Sequence, residues 1–187
     1  MPANLWRDLS PRPAASPDLL HVVVETPKRS RNKVEYDLEA ACFRLDRVLY
    51  SSLHYPGDYG FVPQTLHDDG DPLDAIVLVR EPTFPGCVIQ ARPVGVFHLI
   101  DGGDADDKIL CVPARDPHYH TIRDLGGVAP HALREIEHFF HVYKDLEGKE
   151  TQSGGWSDVA DAEREIERAI AMGRRLQPDP EVEGLKG

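Results

Sequence analysis

The stretch HDDGDPLDAIVLV, residues 67–79, sets four aspartates between positions 68 and 74 and runs them into an unbroken apolar segment. The apolar part, Ala75 to Val79, predicts a strand buried on both faces. Ahead of it, Gly70 permits a tight turn and Pro72 stiffens the backbone. Asp69 and Asp71 are two residues apart, so in an extended segment their carboxylates point the same way. Asp74, after the Pro-Leu step, can return to that side. Three carboxylates converging on one spot repel one another unless cations lie between them. Magnesium fits, because it takes oxygen ligands and bridges to phosphates. Alone, DGD is ordinary turn chemistry. An EF-hand is excluded, because the bidentate Glu expected at loop position twelve falls on Val79 or Arg80.

A second acidic loop, DGGDADDK from Asp101 to Lys108, also follows an apolar segment. By itself it reads as a hairpin loop. Two such loops at strand ends can meet in a barrel and form a multi-metal site. Other strands are expected in LLHVVVETP (Leu19 to Pro27), in KVEYD with Lys33, Glu35 and Asp37 on one face, and in ACFRLDRVLY with Phe43, Leu45 and Val48 inward. In that last segment the charges of Arg44, Asp46 and Arg47 break the period, as at a bulge. CVIQARPVGVFHLID gives one or two more strands and KILCVPA another, while YPGDYGFVPQTL reads as turn-rich. Two helical patterns follow: PHALREIEHFFHVYKDL, with Leu133, Ile136, Phe139, Phe140 and Tyr143 on one face, and SDVADAEREIERAIAMGRRL, capped by Ser157 or Asp158. Strands first and helices last indicate α+β order, mainly β: a small closed or partly open barrel with flanking helices. The expected organisation is a single domain over 1–187, with a proline-rich arm at 1–18 and a frayed tail at 177–187.

The 187 residues suit one core, and 41% hydrophobic with 28% charged content excludes a disordered chain. No run approaches the roughly 18 apolar residues needed to span a bilayer, and no secretory pattern opens the chain; the expected address is cytoplasmic. A net charge of −11 argues against nucleic acid as a partner. Cys42, Cys87 and Cys111 lack metal spacing and read as reduced, buried thiols. The pairs His138/His141 and His118/His120 are incomplete as transition-metal ligand sets.

Basic and phenolic residues accompany the acids: Lys33, Arg47 and Lys144, with Tyr55, Tyr59 and Tyr143. Arg, Lys and Tyr around an acidic metal site suit a phosphate-bearing substrate. The blocks VVVETP, KVEYD, LDRVLYSS, YPGDYGFVP, DDGDPLDAIVL, ARPVGVF, DADDKILCVP and HFFHVYKDLE occur in this order between about Leu20 and Leu176. With them the chain resembles the soluble, magnesium-dependent inorganic pyrophosphatases of the first family in their bacterial form, whose signature is DGDPLD.

The resemblance implies a five-stranded OB-like β-barrel with two or three flanking helices, a homohexamer, and hydrolysis of pyrophosphate to two phosphates. It implies several Mg²⁺ ions, with Mn²⁺ as a substitute. Asp69, Asp74, Asp101 and Asp106 would be metal ligands, and Asp71 the general base. Lys33, Arg47, Tyr59, Tyr143 and Lys144 would clamp phosphate. Glu25, Glu35, Tyr55 and Lys108 would support them, with Asp107 close by. The chain departs from the family pattern at Val34 and Val142. Two other readings are a broader Mg²⁺-dependent phosphohydrolase and a non-catalytic OB-type nucleic-acid binder. No Walker loop supports the first; the basic KRSRNK patch is the only support for the second.

Overall fold

After an irregular arm, the chain enters β1 (Leu20–Thr26) and turns outward as a hairpin of β2 (Asn32–Asp37) and β3 (Cys42–Val48). It returns as β4 (Asp58–Phe61), β5 (Asp74–Val77), the long β6 (Val88–Asp101), the short β7 (Asp104–Ala105) and β8 (Lys108–Pro113). Then come α1 (Pro130–Val142), β9 (Thr151–Ser157) and α2 (Val159–Arg174). This computed structural model describes residues 4–175, so the expected tail at 177–187 lies outside the described residues.

Five strands close a ring: β1 pairs β4, β4 pairs β5, β5 pairs β8, β8 pairs β6, and β6 returns to β1. All these pairings are antiparallel except β5 with β8. The ring removes free sheet edges, and with two α-helices it is the OB-like architecture expected. The 14-residue β6 serves two neighbours along its length, β1 near its start and β9 near its end. Its pairing with β8 slips between Pro93 and Gly95, leaving Val94 as a bulged extra residue. Pro93, which has no N–H to donate, sits at this irregularity.

Alternation along β5 and β8 explains the uninterrupted apolar run of the opening stretch. Ala75, Val77, Ile109 and Cys111 pack with Ala162, Ile166, Ala169 and Ile170 of α2. Ile76, Leu110 and Val112, with Leu78 just beyond β5, pack with Ile136, Phe139 and Phe140 of α1. Both strand faces are therefore covered, each by one helix. Asp158 caps α2, accepting from the Asp161 N–H at 3.0 Å. Pro130 starts α1, where a missing N–H costs nothing.

The structure corrects three local expectations and adds one strand. YPGDYGFVPQTL contains the buried strand β4, not only turns. TQSGGWS forms β9, a glycine-bearing strand that exists by pairing with β6. Leu45 and Val48 are 59% and 46% exposed, because the β2–β3 hairpin forms its own two-stranded sheet away from the barrel core; only Phe43 turns inward, onto Tyr36 at 5.0 Å. The expected bulge is present, with Asp46 as the extra residue opposite Lys33 and Val34. Of the cysteines, Cys111 is buried, Cys87 half-buried and Cys42 exposed, all free thiols.

Gly60 shows how tightly the ring closes: a Cβ there would lie 1.9 Å from the carbonyl oxygen of Val23. Gly60→Ala is expected to destabilise the fold by about 3 kcal/mol, the upper end for overpacking. The measurement is a lowered urea midpoint at unchanged slope.

Candidate active site

The tight turn at Gly70 (φ 90°) and the parallel register of β5 and β8 build the acidic centre. The Asp71 N–H donates to Asp69 at 3.0 Å, and the His67 N–H to the Asp71 carbonyl at 2.8 Å, so the turn is held from within. Asp74 opens β5 directly opposite Lys108, which opens β8. Lys108 is 1% exposed, and its Nζ lies 2.5 Å from Oδ2 of Asp74 while also bonding Asp106. Burial pulls the pKa of this ammonium down; Asp74 and Asp106 outweigh it and hold the pKa above the ordinary value. The Tyr59 hydroxyl donates to the same Asp74 oxygen.

Around this centre lies a cavity of about 220 Å³. Seven carboxylates line it (Glu25, Glu35, Asp69, Asp71, Asp74, Asp101 and Asp106) against two ammonium groups, Lys33 and Lys144. Tyr55, Tyr59 and Tyr143 complete the wall. Lys144 is paired with Asp101, which the Tyr143 hydroxyl approaches at 3.5 Å. Lys33 is paired with Glu35. Glu25 accepts the Tyr36 N–H at 2.7 Å, and burial followed by the Asp74 charge pushes its pKa up to about 8. Burial followed by Asp69 raises Asp71. Burial also raises Asp106, with Asp74 adding to the shift and Lys108 opposing it.

Of the expected site residues, only Arg47 and Lys108 do not line the cavity. Lys108 lies buried beneath the floor, bonded to the lining residues Asp74 and Asp106. Arg47 sits at the β2–β3 bulge, with Nε 2.9 Å from Glu147 and a second nitrogen 2.5 Å from Asp46; its remaining terminal nitrogen is buried without a partner. The histidine pairs do not converge: His118 bonds Arg80, His120 bonds the Pro117 carbonyl at 2.7 Å, and His138 and His141 are exposed. Instead, among the described residues, one group outside the cavity brings metal-ligating atoms together: His67, Asp107 and Glu165. The sequence offers no local pattern for it, since the three lie on separate segments.

The donor chemistry of the cavity fits hard divalent cations. Every anionic group is a carboxylate, and Lys33, Lys144 and the buried Lys108 together are too few to balance them.

Comparison with known proteins agrees with this geometry. The model of the family described as inorganic pyrophosphatase matches residues 22–173. The inorganic pyrophosphatase of Synechocystis is 56% identical over 153 residues, covering 81% of this chain and 90% of its own. That of Haloferax volcanii is 51% identical over 170 residues, covering 90% and 96%. The crystal structure of inorganic pyrophosphatase from Thermus thermophilus superposes with a TM-score of 0.87 at 42% identity, covering 92% of this chain and 99% of its own.

Glu25 makes metal-free stability depend on pH. Its folded pKa of about 8 lies above the unfolded 4.5. Its contribution is therefore fully present below pH 4.5 and is lost as pH rises towards 8. Unfolding midpoints of the metal-free chain should fall across that window, and Glu25→Gln should flatten the fall.

Proposed function

Because this chain belongs to the inorganic pyrophosphatase family and is an enzyme of that kind with pyrophosphate as substrate, we propose that it works with several Mg²⁺ ions and a water nucleophile. The observation that carries this reading is the convergence of Asp69, Asp71, Asp74, Asp101 and Asp106 with Lys33, Lys144, Tyr59 and Tyr143 on one cavity. The family implies a divalent metal; the all-carboxylate donor set favours Mg²⁺, with Mn²⁺ as substitute. Asp69, Asp74, Asp101 and Asp106 would hold the ions. When bound, the ions neutralise phosphate oxygens and acidify the attacking water.

The chain's own residues supply the rest. Asp71 takes the proton of the attacking water at its carboxylate, and the raised pKa of that group strengthens it as a base. Lys33, Lys144, Tyr59 and Tyr143 bind phosphate oxygens and stabilise charge on the departing phosphate, and Arg47 joins them by turning away from Glu147 and Asp46. Lys144–Asp101 and Lys33–Glu35 are ready-made exchange pairs. On substrate binding each ammonium would turn from its carboxylate to phosphate oxygens, and Asp101 would be free to hold a divalent ion. Glu25, Glu35 and Tyr55 hold this wall in place, and Lys108 keeps Asp74 and Asp106 together.

The reading extends to one catalytic domain over the whole chain, a homohexamer in solution and a cytoplasmic address. Support for these is the family resemblance, together with the observation that no helix among the described residues is long and apolar enough to cross a membrane.

The test is phosphate release from pyrophosphate with and without Mg²⁺. Asp71→Asn should lower turnover at least about a hundredfold, roughly 2.7 kcal/mol in the barrier; near-normal turnover would remove Asp71 from the base role. Ca²⁺, which accepts larger and looser coordination, should fail to replace Mg²⁺.

A further inference from the structure

Outside the cavity, one side-chain cluster has the composition of a different kind of metal site. His67 precedes the acidic turn and is 3% exposed. Its Nε2 lies 3.0 Å from Oε1 of Glu165 on α2. Asp107 follows Asp106, but the two side chains find different partners: Asp106 bonds Lys108 beneath the cavity floor, while Oδ2 of Asp107 lies 2.9 Å from Nδ1 of His98. The ligand atoms of His67, Asp107 and Glu165 all fall within 4.8 Å of one another.

We propose that His67, Asp107 and Glu165 form a second, non-catalytic site for a zinc-class divalent ion. A tetrahedral ion with ligands at about 2.0–2.1 Å sets ligand atoms about 3.3 Å apart. The His67–Glu165 pair already stands near that spacing, and Asp107 closes the triangle with a movement of at most about 1.5 Å. One neutral imidazole and two carboxylates balance a dication. The imidazole nitrogen separates this site from the cavity, whose donors are all oxygens: Mg²⁺ belongs in the cavity and Zn²⁺ here. His98 is the orienting partner of Asp107, and its other nitrogen is fixed 2.9 Å from the Ser157 hydroxyl.

The cluster also has its own competitor. A terminal nitrogen of Arg168 lies 2.5 Å from Glu165 and 3.3 Å from Nε2 of His67, so a guanidinium stands where a metal would sit. Arg168 is 41% exposed and also holds Asp68 at 2.8 and 2.9 Å. It can give up Glu165 to an entering ion and remain paired with Asp68. A bound ion would then tie α2 to the approach of the first acidic loop, two residues before Asp69, and to the end of the second, one residue after Asp106.

The test is Zn²⁺ binding by equilibrium dialysis of the full chain in excess Mg²⁺, with the melting temperature followed alongside. Wild type should retain one more Zn²⁺ per chain than Glu165→Gln or His67→Asn, and only wild type should gain melting temperature from it. Glu165→Gln, at a half-buried helix position, serves if His67→Asn fails to fold. Arg168→Ala removes the competing cation and should bind Zn²⁺ about tenfold more tightly, with Mg²⁺-dependent hydrolysis unchanged. Zn²⁺ entering the carboxylate cavity would do so equally in all variants. Equal stoichiometry in wild type and Glu165→Gln, or no tightening in Arg168→Ala, overturns the proposal.

Discussion

A buried ammonium between two carboxylates is the constraint on which the cavity depends. Lys108 has almost no contact with water, and taking an ammonium out of water is costly unless it is paired. Asp74 and Asp106 supply that pairing from the start of β5 and the approach to β8. The arrangement fixes the separation of the two acidic loops before any ligand arrives. Burial first, and then the charge of neighbouring carboxylates, raises the pKa values of Glu25, Asp71 and Asp106 around it. Local stability is given up for a site that attracts dications.

The two basic arms of the cavity differ in how they are held. Lys33 reaches it from the outlying β2–β3 hairpin, paired with Glu35 two residues along the same strand, and Lys144 from just beyond α1, paired with Asp101 at the end of β6. Aromatic packing stiffens the Lys144 side: Tyr143 stacks on Phe139 at 5.4 Å, and Phe139 meets Tyr55 at 4.8 Å. The Lys33 side rests on a two-stranded sheet with exposed Leu45 and Val48. The two arms therefore differ in packing: an aromatic cluster braces one, and a two-stranded sheet carries the other.

Much of this was legible in the sequence because it is local. The acidic turn, the buried β5 and the faces of α1 and α2 each follow from residue spacing within one segment. What escaped is what distant segments impose. β9 is polar and glycine-bearing, and it becomes a strand only because β6 extends past the barrel and offers an edge. Leu45 and Val48 alternate like core residues, yet no layer among the described residues covers them. Glu165 lies 98 residues from its partner His67, a distance at which periodicity carries no information. The grouping of the acidic residues rests on family resemblance, which supplies a long-range proximity that spacing cannot.

The parallel pairing of β5 with β8 has a consequence for how the chain reaches its active form. Asp74 and Lys108 face each other only in one register, and a slip of one residue would turn every side chain of that strand to the opposite helix. Their partnership joins segments 34 residues apart, and parallel pairings of this kind are slow to assemble during folding. Burial of the Lys108 ammonium penalises wrong alignments: a misregistered barrel would strand a charge in its apolar interior. The cavity thus proofreads its own assembly, and recovery of activity on refolding would report completion of this strand pairing, beyond mere collapse.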